Sequence, residues 1–402
     1  MRGFLAFTWS PDDPEGVHVG QALTAAARAD GWTQTDTQTA GWLGVRGPNP
    51  PRAYSPRPGA LILGEVFAHP DAPLTDVEGD LEDETDEAFA ARYSRRRWGR
   101  YVILFRGPNG ALTRVFRDPS GGLAAHSWSA HGVRVVTSEI TDAVVAAAPP
   151  TLGFDWDRIR ALIARPFDLA GPSPLYGVTT VPPGGLAEIG GASFPLWSPE
   201  TFARSPTRRA ADARRDLRRT LDRCVSALAG RHAVGLEISG GLDSAIVGGT
   251  LAALEHPVAL ALNTRAPHPE TDERHYAQAV AHKIDVDLTC RRRDPVAYSA
   301  KRFEATAGDV WPSQNGRDLA NDQLVAAVWA CTILKVSTPL SIVRSTATVP
   351  PTARRSGAVS SAILSGAAPA LTRQRAPSAA RPMVQSRGGG ALRRRRRDAQ
   401  RV

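Results

Sequence analysis

Hydrophobic positions fall into two patterns along the chain. Up to about residue 200 they gather in short runs: Gly3–Trp9, Ala60–Ala68, Gly99–Phe105, Leu112–Arg117 and Val133–Ser138. Runs of this length, bounded by turn residues, predict strands. The turn "RGPNGA" separates two of them, which is a hairpin signal. Two segments read as helices, "TDEAFAARYSRRRWG" and "DWDRIRALIAR"; in the latter Ile159, Leu162 and Ile163 share one face. "LWSPETFARSPT" then reads as a linker.

From Ser205 the period changes. Ser205-Pro206 suits a helix cap followed by Pro at the first helical position. Leu217, Leu221, Cys224, Val225 and Leu228 then form one helical stripe. Strand Ala233–Ile238, helix Ser244–Leu254, strand Pro257–Thr264, helix Thr271–Ile284 and strand Asp285–Cys290 follow. Ala277, Val280, Ala281 and Ile284 mark the buried face of the second of these helices. Strands alternating with helices predict βαβ units and a parallel sheet.

After about Trp329 the pattern collapses. Residues 331–402 contain no aromatic side chain and no His, and they end in "ALRRRRRDAQRV". A segment with so little to bury is expected to be disordered. It also explains the charge. The chain of 402 residues carries a net +9, yet 331–402 alone carries +13 and 1–330 carries −4. The high net charge therefore does not mark the body as a nucleic-acid binder, and nucleic acid is not an expected partner. Arg393–Arg397 could bind phosphate backbones, but the run means nothing if the tail is out of frame. No apolar run has the length of a membrane span, and the first residues do not form a signal peptide. Cys224, Cys290 and Cys331 are widely spaced, which argues against a zinc site or a disulfide framework; a cytoplasmic, membrane-free protein is expected.

The candidate chemistry sits in "LEISGGLDSAIVGG", Leu236–Gly249. A strand hands over to a helix through Ser239-Gly240-Gly241-Leu242-Asp243-Ser244, where parallel sheets bind ligands. The glycines let a phosphate approach the backbone, and the helix N–H groups point at it. Ser239 and Ser244 can add hydroxyl donors. Asp243 suits this place if Mg²⁺ stands between it and the phosphates. There is no Walker A run. A plain strand-to-helix turn with a serine cap is the simpler alternative.

S-G-G-x-D-S resembles the signature of the ATP pyrophosphatases, which cleave ATP between the α- and β-phosphates. "RDPSGGLAAHSW" (117–128), "WGRYVILF" before it, "VVTSEI" after it and "LYGVTTVPPGGLAEI" (175–189) resemble the glutaminase-type half of asparagine synthetase-like proteins. "TDERHYAQAVA" (271–281) is similar to the helix after that family's second ATP-domain strand. The resemblance covers roughly 1–330. It implies a β-rich, Ntn-hydrolase-like sandwich over 1–200 and a parallel-sheet PP-loop domain over 205–330, incomplete at its end. Residues 331–402 would be a basic tail, out of frame.

By this resemblance ATP and Mg²⁺ are the cofactors. Ser239, Gly240, Gly241, Leu242, Asp243 and Ser244 would hold pyrophosphate and the metal, with Asp243 as metal ligand and catalytic group. Ile238 and Asn263 would flank the adenosine.

Two departures refine the reading. A working glutaminase needs Cys after the initiator Met; Arg2 stands there, so no glutaminase activity is expected. The family's second acidic element, S/T-G-(D/E)-G-x-D, does not follow "NDQLVAAVWA". Relatives without the Cys include β-lactam synthetases and lasso peptide cyclases, and "PSQNGRDLANDQLVAAVW" looks more like the cyclases. The expected reaction is adenylation of an Asp or Glu side chain of a precursor peptide. The peptide's own amine then attacks and closes a macrolactam. Partners would be that peptide and a leader peptidase or leader-binding protein. Asparagine synthase, β-lactam synthetase and a truncated, inactive binding protein remain alternatives. No general base is assigned, and His275 and His282 read as solvated.

Overall fold

The structure is a computed structural model. It describes residues 3–38, 40–47, 50–68, 84–145, 147–165, 172–203, 209–230, 234–265, 269–292, 332–337 and 341–346. All of these fall within one compact unit, 1–350.

Two six-stranded antiparallel sheets make the first half. One runs, in spatial order, Thr179–Thr180, His126–Ala130, Val133–Thr137, Gly3–Trp9, Gly41–Arg46, Thr33–Gln38. The other runs Ser193–Pro195, Gly185–Glu188, Leu112–Arg117, Arg97–Arg106, Ala60–Ala68, Arg52–Arg57. The period of two sorts their side chains. Phe4 and Ala6 join Leu61, Leu63, Val102 and Leu104 in the core between the sheets. Leu5 and Phe7 face outward under helix Pro14–Ala29, against Leu23 and Ala27. Ile62, Tyr101, Ile103 and Phe105 face the other way, under Phe89 and Tyr93 of helix Asp86–Arg96. The result is helix, sheet, sheet, helix. Central strands are walled on both faces, which is why they read as continuous apolar runs.

The second half is a five-stranded sheet in the order Leu288–Arg292, Val258–Arg265, Val234–Glu237, Thr332–Ser337, Ser341–Thr346. The first four strands are parallel; the last pairs antiparallel to its neighbour. Helices Ala210–Ala229, Leu242–Ala253 and Arg274–Lys283 accompany it. Val225, Leu228, Leu236, Val247, Leu251, Ala277 and Ala281 form its core. Phe67 and Trp98, stacked at 4.5 Å at the far end of a sandwich strand pair, pack against that core.

Three expectations need correction. Thr332–Ser337 and Ser341–Thr346 are strands within the segment expected to be structureless; parallel pairing of Val234 with Thr332 and of Leu236 with Leu334 adds them to the sheet. Such pairing runs through the backbone and needs no aromatic residue. The tail from 347 lies outside the described residues. Ile163 is 75% exposed, so only Leu162 of its proposed stripe is fully buried. Leu217 is also exposed, and burial in that helix begins at Val225. The described part of that helix starts at Ala210 behind Arg209; Ser205-Pro206 lies outside the described residues.

Candidate active site

The first parallel strand stops at Glu237, and the chain turns through Ile238–Gly241 into helix Leu242–Ala253. Along the sheet the strand order reverses here: the next two strands lie on one side and Thr332–Ser337 on the other. This makes the carboxyl end of Val234–Glu237 a topological switch point, the place where open parallel sheets take ligands.

The loop is held by its own serines. The Ser239 N–H donates to Ser244 Oγ at 3.2 Å, and the Gly241 N–H donates to Ser239 Oγ at 3.2 Å. Ser244 O–H donates to the Gly241 carbonyl at 3.1 Å, and the two hydroxyl oxygens are 3.0 Å apart. Ser244 is buried and braces the turn, whereas Ser239 is exposed. Gly240 has φ +98, and a Cβ there would lie 2.6 Å from Glu273 Cβ and 2.7 Å from the Glu273 carbonyl oxygen. Both the backbone angle and this close approach require glycine. Gly241 occupies the cap position, so no side chain covers the first helical N–H groups. Those groups and the helix dipole favour an anion.

Asp243 is exposed in the first turn, and Leu242 beside it is 74% exposed. A carboxylate suits Mg²⁺, which takes one or two carboxylates together with phosphate oxygens. The exposed Asp243 carboxylate in the first turn fits that ion. Beneath the loop Asn263 Nδ2 donates to the Ile238 carbonyl at 2.7 Å. Ile238 is wholly buried and Asn263 is buried, with no hydrogen-bond partner for its Oδ1 among the described residues. Their side chains belong to the floor of the loop rather than to an open wall.

Sequence reasoning missed the neighbours across the loop. Glu273 packs on Gly240, and Asp272, Arg274 and Arg265 cluster beside it. The available signal was position: they connect the second parallel strand to its helix, at the same end of the sheet.

The most strongly shifted protonation equilibria lie in the sandwich. Burial raises the Asp118 carboxyl, which accepts from the N–H groups of Tyr101 and Ser120. Arg117 donates to the carbonyls of Leu123, Val181 and Gly121. Burial pushes His126 down to about 3. Arg117 and Asp118 thus brace the sandwich from within, while Ser120 and Gly122 of the same turn are exposed. Arg2 lies outside the described residues. His275 and His282 are exposed.

This geometry meets one comparison. The asparagine synthase family matches residues 216–306. The match takes in the loop, both parallel crossovers and the cluster beside Gly240. It supports an asparagine synthetase-like, ATP-dependent, amide-forming ligase reading for this region. No curated protein matches the chain. Among the described residues no helix is long and apolar enough to cross a membrane, and no group of three or more His, Cys, Asp or Glu could hold a metal.

Proposed function

We propose that the chain activates a carboxylate with ATP and then forms an amide within the same substrate, as a lasso-cyclase-like macrolactam-forming ligase. One observation carries this reading: a self-braced Ser-Gly-Gly loop at the switch point of a parallel sheet, with an exposed Asp in the first turn of its helix.

The uncovered N–H groups at the helix start would bind the pyrophosphate moiety. Ser239 would add a hydroxyl. Asp243 would hold Mg²⁺, which when bound offsets phosphate charge. A carboxylate oxygen of the substrate attacks the α-phosphorus, and the bond to the pyrophosphate oxygen breaks. The substrate's amine then attacks the acyl carbon and AMP leaves. The loop contributes positioning and stabilisation of developing charge on the departing pyrophosphate. The substrate would be a precursor peptide, and the expected setting is the cytoplasm.

A second reading, nucleotide binding without turnover, is favoured by the lack of a second acidic glycine-rich element in the sequence. Peptide-dependent exchange of labelled pyrophosphate into ATP separates the two. Exchange in the native chain that disappears in Asp243→Ala, with nucleotide-free stability unchanged, supports ligation. Nucleotide binding with no exchange supports the second reading.

A further inference from the structure

Arg265 closes the second parallel strand, and Asp272 precedes the helix that follows. Arg274 turns back onto Asp272: its Nε stands 2.8 and 3.0 Å from the two carboxylate oxygens, and its Nη2 stands 2.6 Å from Oδ2. The Arg274 N–H donates to Oδ1 at 3.2 Å. Arg265 Nη1 stands 4.0 Å from Oδ2. The Arg274 guanidinium holds the Asp272 carboxyl down at about 2, so the carboxylate is charged at neutral pH.

Two guanidiniums share the Asp272 carboxylate, and the Glu273 carboxylate lies between this cluster and Gly240. The Arg265 and Arg274 side chains are 32% and 39% exposed. Asp272 engages Nε and Nη2 of Arg274, which among the described residues leaves Nη1 and the Arg265 fork for an incoming acceptor. The residue between Asp272 and Arg274 is Glu273, whose backbone touches the Gly240 position and whose carboxylate lies on that loop side. On the adjoining strand the register sets Arg292 opposite Arg265 and Arg291 opposite Thr264. The two arginines therefore belong to the connection that packs on the phosphate loop through Glu273.

We propose that Arg265 and Arg274, fixed by Asp272, bind the substrate carboxylate that is to be activated. The inference rests on the carboxylate-activation reading above. Planar forks match a single carboxylate, which takes paired N–H donors. A triphosphate carries several charges, and the loop already offers it a helix N-terminus.

The test is calorimetric binding to the full chain. The probes are a non-hydrolysable Mg·ATP analogue and an N-acetylated, C-amidated alanine peptide with one glutamate. A second peptide carries glutamine in place of that glutamate, and peptides are titrated with and without the analogue. The wild type should bind the glutamate peptide about tenfold more tightly than the glutamine peptide. Arg265→Gln and Arg274→Gln should each erase most of that preference and change analogue affinity by less than about twofold. Arg265→Lys should keep part of it. Melting curves of the variants should overlay the wild type, since both side chains are partly exposed.

Equal binding of the two peptides by the wild type would overturn the proposal. So would arginine variants that lose the analogue but keep the glutamate preference, because the arginines would then serve phosphates. A wild type that ignores the analogue but prefers glutamate would sink the adenylation reading and leave the carboxylate site standing.

Discussion

The two halves of the molecule place their polar groups in opposite ways. In the sandwich, Asp118, His126, Thr137 and Glu139 are buried and consumed by internal contacts. In the parallel half, Ser239, Asp243 and Glu273 lie exposed at strand ends. The difference separates two meanings of an unusual side chain. In the sandwich a strongly perturbed protonation equilibrium marks a brace sealed inside a double-walled core. The residues suited to meet a ligand are those on a loop whose backbone carries the specialisation.

That contrast can be broken first at Asp118. Asp118→Ala strips the acceptor from two backbone N–H groups in a buried site, and unfolding in denaturant should show a loss of about 3 kcal/mol. A loss under about 1 kcal/mol would mean that the brace is not structural. Next comes Gly240→Ala. The added Cβ meets the Glu273 backbone at a strained φ, so nucleotide affinity should fall about a hundredfold, with only about 1–2 kcal/mol lost from stability. Undiminished binding would show that the loop's shape is irrelevant.

His126 sharpens the picture through pH. It is held neutral in the folded state, down to about 3 against an ordinary 6.5, so the unfolded chain binds the extra proton between those values. Its contribution is fully present above pH 6.5 and is lost as pH falls towards 3. His126→Gln should flatten the fall in melting temperature over that range. Burial of Asp118 acts in the opposite direction, so the comparison must be between the variant and wild type. The smallest effect belongs to the exposed helix pair Arg218–Asp222, 2.9 Å apart. Asp222→Ala should change stability by less than about 0.5 kcal/mol.

Where the chain is walled on both faces, its sequence is easy to read. Gly3–Trp9, Ala60–Ala68 and Leu112–Arg117 match the observed strands residue for residue. Thr33–Gln38 and Arg52–Arg57 escaped notice because each is the outermost strand of its sheet and is largely polar; the second even contains Pro56. Helix Pro14–Ala29 was missed for a different reason. Its buried stripe is Gly16, Gly20, Leu23 and Ala27, in which Leu23 is the one large hydrophobic residue, although Asp13 and Pro14 mark its start. The cradle residues were legible because glycine pairs punctuate strongly. The Asp272–Arg274 cluster was not, since ordinary charged residues acquire meaning only when a crossover carries them next to Gly240.

The Phe67–Trp98 stack has an evolutionary consequence. These two rings close one sandwich ladder and also fill part of the wall of the neighbouring core. A gene that shed the first half would leave a greasy scar on the second. Loss of any ancestral chemistry in the sandwich would therefore not free it for deletion, and selection on the parallel half alone would be enough to preserve it as a buttress.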